Sequence, residues 1–155
     1  MAKNAKGEVL KISTAGMAFI KGYEKEVLKV YNDGYGYPTC GVGHLVKPGD
    51  NLKLGQAITK AQSDVFFAQD LAAHAKPVDD LVRVPLTQNQ YDALVSLVFN
   101  IGGGNFKKSS VLKKINAGDY AGACAHFSDW IHSAGKVSKG LINRRNAEKK
   151  IFLRP

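Results

Sequence analysis

Hydrophobic positions change their spacing twice within the first 45 residues. From Ser13 or Thr14, either of which can cap a helix, apolar residues recur at helical spacing as far as Glu24. Residues 27–31 are then rich in strand formers, an Asn-Asp-Gly turn signal follows, and residues 37–44 have an extended pattern again. The pattern predicts a short helix that ends near Glu24, followed at once by a β-hairpin.

The rest of the chain has helical periodicity. Capping-box sequences at 59–62 and 87–90 each open a predicted helix. The first is predicted over 60–74, and Pro77 is expected to end or kink it. The second is apolar nearly all round, which predicts that it is buried at the centre of a larger lobe. Further helices are predicted over 110–116, from 119 to about 132, and from 138 or 139 to 152.

Composition and charge narrow the class of protein. The 155 residues are enough for one domain with a hydrophobic core, and a hydrophobic fraction of 45% argues against disorder. Lys and Arg number 22 against 13 acidic residues, and this net charge of +9 favours an anionic partner. A polymer that carries carboxylates is one such partner and nucleic acid is another. Several basic residues stand in adjacent pairs along the chain, but no aromatic residues are interleaved with them, as they are in proteins that bind single-stranded nucleic acid.

The cysteines and the lengths of the apolar segments indicate the cellular compartment in which the chain folds. Cys40 and Cys124 lack metal-ligand spacing, so two free, buried thiols are predicted, with a disulfide between them as the alternative. No apolar run approaches the ~18 residues of a membrane span. Residues 1–11 lack the apolar core of a signal peptide. We therefore expect folding in a reducing cytosol, without a visible export signal.

Candidate chemistry lies at the junction of the first helix and the hairpin. The pattern places Glu24 at the helix end, and Asp33 and Thr39 in the hairpin. Hydrolysis of a glycosidic bond needs two carboxyl groups, one protonated to assist the leaving oxygen and one ionised to activate water or attack the sugar. A threonine hydroxyl can hold the water in line. Paired acids are common on surfaces, so the specificity of the signal comes from the turn and the Gly-x-Gly-His string that accompany them.

These residues resemble the motif of the bacteriophage-type lysozymes, the endolysins of glycoside hydrolase family 24. The motif has an aromatic-Glu pair, eight residues, an Asp or Cys, five residues, and Thr-x-Gly-x-Gly-His; this chain has Tyr23-Glu24, Asp33 and Thr-Cys-Gly-Val-Gly-His over 39–44. The chain departs from the family at Lys25, which is commonly Gly, and at Cys40, which is usually aliphatic. Further matching segments, which extend the resemblance over roughly residues 12–153, lie at 86–94, 99–102, 104–110 and 140–148.

The resemblance implies an α+β, lysozyme-like fold. A small β-hairpin lobe is expected over roughly 25–58, and a larger helical lobe over roughly 75–155 together with the N-terminal helix, with a cleft between the lobes. Residues 1–11 are expected to be a polar tail and 12–155 a single domain. A monomer is expected, with no cofactor, no metal and no obligatory protein partner.

The resemblance also implies a muramidase. Such an enzyme cuts the β-1,4 bond between N-acetylmuramic acid and N-acetylglucosamine in the glycan strands of peptidoglycan, with inversion. By position, Glu24 is the general acid, Asp33 the base or electrostatic partner, and Thr39 the residue that holds the water. The residues expected to bind substrate are Gly41, Gly43 and Asn100.

Three further residues are expected to support the site. Arg144 falls where the family has an arginine that pairs with the catalytic Glu24, and Arg145 is the alternative for this role. Arg145 lies about 100° further round the same helix, so its replacement is expected to matter little. His44 is expected to be structural and paired with Asp70.

Two other functions compete with the muramidase. The first is a lysozyme-like wall-binding module without turnover, for which Lys25 beside Glu24 is the only hint. The second is a basic nucleic-acid-binding domain. If the chain is an endolysin, it is expected to reach the wall after release from the cytoplasm through a membrane lesion, and a secretion-system effector is the alternative route.

Overall fold

The computed structural model describes residues 1–155, which form seven α-helices and five short β-strands. Its helices and small antiparallel sheets confirm the predicted α+β class. Single turns of 3₁₀-helix lie at Pro48–Asp50 and Phe127–Asp129. In chain order the elements are α1 Thr14–Glu24, β1 Glu26–Asn32, β2 Pro38–Val42, β3 His44–Leu45, α2 Lys60–Leu81, α3 Gln88–Ile101, α4 Gly103–Lys108, α5 Ser110–Asn116, α6 Tyr120–His126, β4 His132–Ser133, β5 Lys136–Val137 and α7 Lys139–Phe152.

The chain divides into two units. The hairpin unit comprises residues 18–72, and the helical unit comprises residues 1–17 and 73–155. Ala2 and Leu10 of the helical unit are buried, and the chain between them turns back on itself through a bridge between Lys3 and Val9.

The hairpin unit contains the three-stranded antiparallel sheet β1-β2-β3. Its core is small and consists of Val30, Cys40 and Ile58, with partly buried Val46, Leu52 and Phe66 packed against them. Of the seven residues of β1 only Val30 is buried, so most side chains of this strand face solvent. The unit therefore depends on turns and polar contacts as well as on apolar burial.

The helical unit has a larger core. Helix α3 is buried continuously from Tyr91 to Phe99, as its nearly uniform apolar sequence predicts. The helix begins at the predicted capping box, in which Thr87 Oγ1 accepts from Gln90 N–H and the Gln90 side chain accepts from Thr87 N–H. The corresponding box at Thr59 and Gln62 forms in the same way in the hairpin unit.

Helix α2 continues past Pro77 to Leu81, so the predicted end at residue 74 is wrong and Pro77 does not end the helix. Tertiary packing outweighs the lost hydrogen bond, because Val78 in the helix and Val82 directly after it are both buried. A Cβ on Gly103 would lie 2.7 Å from Pro77 Cγ, so the glycine makes room for the ring. None of the seven helices combines the length and the hydropathy needed to cross a membrane.

Candidate active site

Glu24 is the last residue of α1 and is half-buried. Ser13 caps the start of this helix, because its Oγ accepts from Gly16 N–H at 3.0 Å. The helix ends because Lys25 adopts the left-handed conformation with φ +58°. Glycine, the residue that the family resemblance leads us to expect here, adopts this conformation without strain. Lys25 therefore keeps the backbone path that a glycine would take, at a conformational cost of about 1–2 kcal/mol.

Gly43 lets the sheet approach the Glu24 carboxyl group. A Cβ at residue 43 would lie 2.7 Å from Glu24 Oε2 and 3.3 Å from its Cδ. Gly43 also has φ +65°, in the turn that joins β2 to β3. Both the close approach and the backbone conformation require glycine. The second glycine of the Gly-x-Gly-His string is thus explained by the position of the Glu24 side chain.

Gly41 has a different reason for being glycine. Its φ is +59°, and a Cβ would lie 3.0 Å from Ser63 Oγ on helix α2. The same hydroxyl donates to Glu26 Oε1 at 2.7 Å, and Lys60 Nζ lies 3.0 Å from that oxygen. The structure therefore gives Gly41 a packing role against α2.

Glu26 is close to Glu24 in sequence but differs in its surroundings. Its hydrogen bond from Ser63, and then that from Lys60, lower the pKa of the Glu26 carboxyl group below its usual value. A group held ionised in this way is unsuited to donate a proton near neutral pH. The contacts instead join the start of β1 to α2.

Asp33 is fixed by the backbone of the turn after β1. Its Oδ1 accepts the N–H groups of Tyr35 at 2.8 Å and of Tyr37 at 3.1 Å, and its own N–H donates to Tyr37 O at 3.2 Å. Side-chain-to-backbone bonds of this kind stabilise a tight turn. The carboxylate is half-buried and has a defined position in the hairpin.

Thr39 lies in β2 and is 4% exposed. Its Oγ1 donates to Tyr37 O at 3.2 Å, which fixes the direction of the hydroxyl. Residue 39 is the register partner of Tyr31 in β1. Glu24, Asp33 and Thr39 all belong to the hairpin unit, and Tyr37 is bonded through its backbone to the latter two.

His44 is buried and bonded to two carboxylates. Its Nδ1 lies 2.8 Å from Asp70 Oδ2, which confirms the predicted pair, and its Nε2 lies 2.8 Å from Asp50 Oδ2. Its ring stacks on Phe66 with a centroid distance of 4.1 Å. The side chain thereby joins β3, the 3₁₀ turn and α2. Both ring nitrogens are engaged in these contacts, which is consistent with a structural role.

Asp50 is the partner of His44 that the sequence did not reveal. Burial disfavours its charged form, but the Lys47 N–H bond and the contact with His44 outweigh burial and lower the pKa of Asp50. The only local signal was the Pro-Gly-Asp turn, in which Asp50 Oδ2 accepts from Lys47 N–H at 2.9 Å. No group of three or more His, Cys, Asp and Glu side chains is arranged to hold a metal ion.

Arg144 lies in a buried polar cluster of the helical unit. Its side chain is 5% exposed, Nε lies 3.4 Å from Glu148 Oε2, and one terminal nitrogen donates to Ser96 O at 3.3 Å. Ser96 Oγ in turn donates to Glu148 Oε2 at 2.5 Å. Within this unit the arginine therefore joins α7 to α3.

Arg145 belongs to the same cluster, and the expectation that it matters little is wrong. Its side chain is 1% exposed, and Nε lies 2.7 Å from Glu148 Oε1. It also donates to Asn100 Oδ1 at 2.8 Å and to Trp130 O at 3.4 Å. Arg145 does point in a different direction from Arg144 on the helix. That side of α7 is nevertheless also covered by other parts of the helical unit, so the Arg145 side chain is buried as well. Asn100 itself is exposed at the end of α3.

Both cysteines are buried and free, as predicted. Cys40 is part of the hairpin core, and Cys124 lies on α6 of the helical unit. Burial raises the pKa of each thiol, which keeps it protonated and unreactive near neutral pH.

Residues 21–148 match the family described as phage lysozyme. The chain belongs to this family. It is 46% identical over 147 residues to an endolysin of Acyrthosiphon pisum secondary endosymbiont phage 1. The aligned region covers 91% of this chain and 97% of that endolysin. It is 42% identical over 146 residues to the endolysin of Salmonella phage P22, with coverage of 94% and 99%.

Solved structures that resemble this chain are also lysozyme-type proteins. The muramidase domain of SpmX from Asticaccaulis excentricus superimposes with a TM-score of 0.85 at 36% identity, covering 95% of this chain and all of that domain. A mutant of P22 lysozyme gives a TM-score of 0.82 at 39% identity, with coverage of 94% and 100%. The phage lysozyme family thus accounts for the lysozyme-like fold, and the chain is a glycoside hydrolase of the lysozyme type that degrades peptidoglycan.

Proposed function

We propose that this phage lysozyme is an inverting muramidase, which hydrolyses the β-1,4 bond between N-acetylmuramic acid and N-acetylglucosamine. Glu24 is the general acid that protonates the leaving oxygen. Asp33 acts as the base or electrostatic partner of the attacking water, and Thr39 holds that water. The observation that carries the proposal is the close approach of the Glu24 carboxyl group to residue 43, which only glycine permits.

The surroundings of the three residues support their separate roles. Glu24 is half-buried at a helix end, whereas the neighbouring Glu26 is held ionised by Ser63 and Lys60. The Asp33 carboxylate is fixed by two backbone N–H groups, so its position is set before substrate arrives. The Thr39 hydroxyl is buried and directed by Tyr37 O.

The remaining site assignments are part of the same proposal. Arg144, held among Ser96 and Glu148, is the supporting arginine of the helical unit, and His44 with Asp70 supports the strand that follows the catalytic hairpin. Backbone groups of Gly41 and Gly43 and the side chain of Asn100 contact the glycan. The enzyme works as a monomer on the cell wall after release from the cytoplasm.

The wall-binding module without turnover is the second candidate. Its only support was Lys25, but this residue is exposed and takes the left-handed backbone conformation that the usual glycine would take. The path of the chain from Glu24 into β1 is therefore retained. We favour the active enzyme for this reason.

Analysis of the products tests the proposal. Digestion of purified glycan strands by the wild-type protein should create new reducing ends at N-acetylmuramic acid, and proton NMR during the first turnovers should show the α-anomer. Reducing ends at N-acetylglucosamine would contradict the assigned bond, and an initial β-anomer would make Asp33 a nucleophile rather than a base. Salt-dependent binding to DNA without cleavage of glycans would support the nucleic-acid-binding alternative.

A further inference from the structure

Two exposed tyrosines lie beside the proposed water-handling residues of the hairpin. The antiparallel register pairs Tyr31 of β1 with Thr39 of β2, and paired residues project from the same face of a sheet. Cys40, the neighbour of Thr39 in β2, projects to the other face, where it forms the core with Val30. Tyr31 is therefore on the face of the hairpin that carries the Thr39 hydroxyl.

Tyr37 is joined through its backbone to both Asp33 and Thr39. Its N–H donates to Asp33 Oδ1 at 3.1 Å, and its carbonyl accepts from Asp33 N–H and from Thr39 Oγ1, each at 3.2 Å. These contacts use only the main chain of Tyr37. Tyr37 is 60% exposed and Tyr31 is 36% exposed.

Exposed apolar side chains are concentrated in this part of the chain. Nine of the thirteen large hydrophobic residues with exposed side chains belong to the 55-residue hairpin unit. Scattered exposed residues need no explanation, but a group of them beside a functional site indicates a binding surface. The hairpin unit also has six basic and six acidic residues, so it has no net charge with which to attract an ionic group.

We propose that the rings of Tyr31 and Tyr37 form the surface on which a sugar ring of the glycan strand rests. The face of a pyranose ring is apolar and its edge carries hydroxyl groups, and a tyrosine combines an apolar ring with one polar atom in the same way. Tyr31 is the register partner of Thr39, and the main chain of Tyr37 is bonded to Asp33 and Thr39, so a sugar held on the two rings would lie close to both proposed catalytic residues. This inference rests on the proposed function, because it names further residues of the same substrate site.

Alanine and phenylalanine variants separate the rings from the backbone. Tyr37→Ala and Tyr31→Ala keep the main-chain bonds to Asp33 and Thr39, so each should raise KM by about 3- to 10-fold while kcat falls less. Tyr37→Phe and Tyr31→Phe keep the ring and should stay within about 2-fold of the wild type. Leu54→Ala is the matched control, since it removes a side chain that is 65% exposed in the same unit, and its KM should not change.

Binding measured without turnover distinguishes failure of this inference from failure of the proposed function. In a Glu24→Gln background, the dissociation constant for a soluble tetrasaccharide of alternating N-acetylglucosamine and N-acetylmuramic acid should rise about 3- to 10-fold on adding Tyr37→Ala. The Tyr37→Phe and Leu54→Ala additions should leave it unchanged. Equal dissociation constants for the Ala and Phe variants would overturn the tyrosine surface even if the wild-type enzyme cleaves glycans. If no bond is cleaved but the Ala variants still bind more weakly, the surface stands and the catalytic assignment fails.

Discussion

The hairpin unit and the helical unit differ in charge, in core and in the use of polar residues. The hairpin unit has equal numbers of basic and acidic residues, whereas the helical unit has sixteen basic and seven acidic residues and thus carries the entire excess of +9. The hairpin unit contains nine of the thirteen exposed large hydrophobic residues and fixes Asp33 by backbone bonds. The helical unit instead contains a buried cluster of ion pairs on α7, which is joined to α3.

This difference fits separate roles of the two units in the proposed function. A neutral surface with exposed aromatic rings suits contact with a largely uncharged sugar chain. A basic surface suits long-range attraction to the peptide carboxylates of the wall. We therefore expect substitutions in the helical unit to act mainly on stability and those in the hairpin unit to act mainly on turnover.

The largest expected effect on stability is in the helical unit. Glu148→Gln leaves Arg144 and Arg145 buried without their carboxylate and should lower the free energy of unfolding by about 3–5 kcal/mol. Asp80→Asn is the control, because its partner Lys76 is on the surface, and it should cost less than about 0.5 kcal/mol. Urea unfolding measures both, and equal losses would contradict the buried cluster.

Apart from replacement of the proposed general acid Glu24, the largest expected effect on turnover is also in the hairpin unit. Gly43→Ala adds a Cβ 2.7 Å from Glu24 Oε2 at φ +65° and should displace the carboxyl group. We expect the rate of glycan cleavage to fall at least about tenfold, with a stability loss of about 1–2 kcal/mol. Gly22→Ala, at a helical position with nothing within 4 Å, should leave the rate unchanged. If both variants cleave at the wild-type rate, Gly43 is not needed for the position of Glu24.

A smaller effect concerns the pH dependence of the hairpin unit. The pKa of the Asp50 carboxyl group is lowered in the folded state. Its ionised form therefore stabilises the fold at pH values above the pKa of an aspartate in the unfolded protein, about 4. This stabilisation is lost as the pH falls through the lowered pKa of the folded state. Asp50→Asn should cost about 1–2 kcal/mol near neutral pH. The difference from the wild type should shrink steadily in unfolding experiments below about pH 4. A difference that stays constant with pH would show that the charge of Asp50 is unimportant.

The smallest effect is expected at Lys25. Replacement by glycine removes the strain of φ +58° but increases the flexibility of the unfolded chain, so a net gain of about 0.5–1 kcal/mol is expected. Lys29→Gly, within strand β1, should instead destabilise the protein. Thermal unfolding of the two variants decides the matter, and a loss of stability in Lys25→Gly would mean that the lysine side chain makes a stabilising contact.

Local signals in the sequence predicted much of the fold. Capping boxes, turn residues and the period of apolar positions are short-range features, so α1, the hairpin, α3 and α7 begin and end close to where they were predicted. The continuation of α2 through Pro77 depends instead on packing against residues distant in sequence, which include Gly103. Short-range patterns contain no such information.

The site was predicted unevenly for the same reason. The roles proposed for Glu24, Asp33 and Thr39 came from a motif within 21 residues, and the His44–Asp70 pair came from the family resemblance. Asp50 was missed because a turn residue gives no sign of what its side chain meets. Arg145 was misjudged because helical angle alone does not show which sides of α7 are covered. Sequence thus located the candidate chemistry better than the buried contacts that support it.

The central claim is that Glu24, and not its neighbour Glu26, is the general acid of this lysozyme. Glu24→Gln and Glu26→Gln should be compared with the wild type by the loss of turbidity of purified peptidoglycan. The account predicts a loss of roughly 10²–10⁴-fold in rate for Glu24→Gln with the fold retained, and a rate within a few-fold of the wild type for Glu26→Gln. Near-wild-type lysis by Glu24→Gln, or a comparable loss in a folded Glu26→Gln variant, would contradict it.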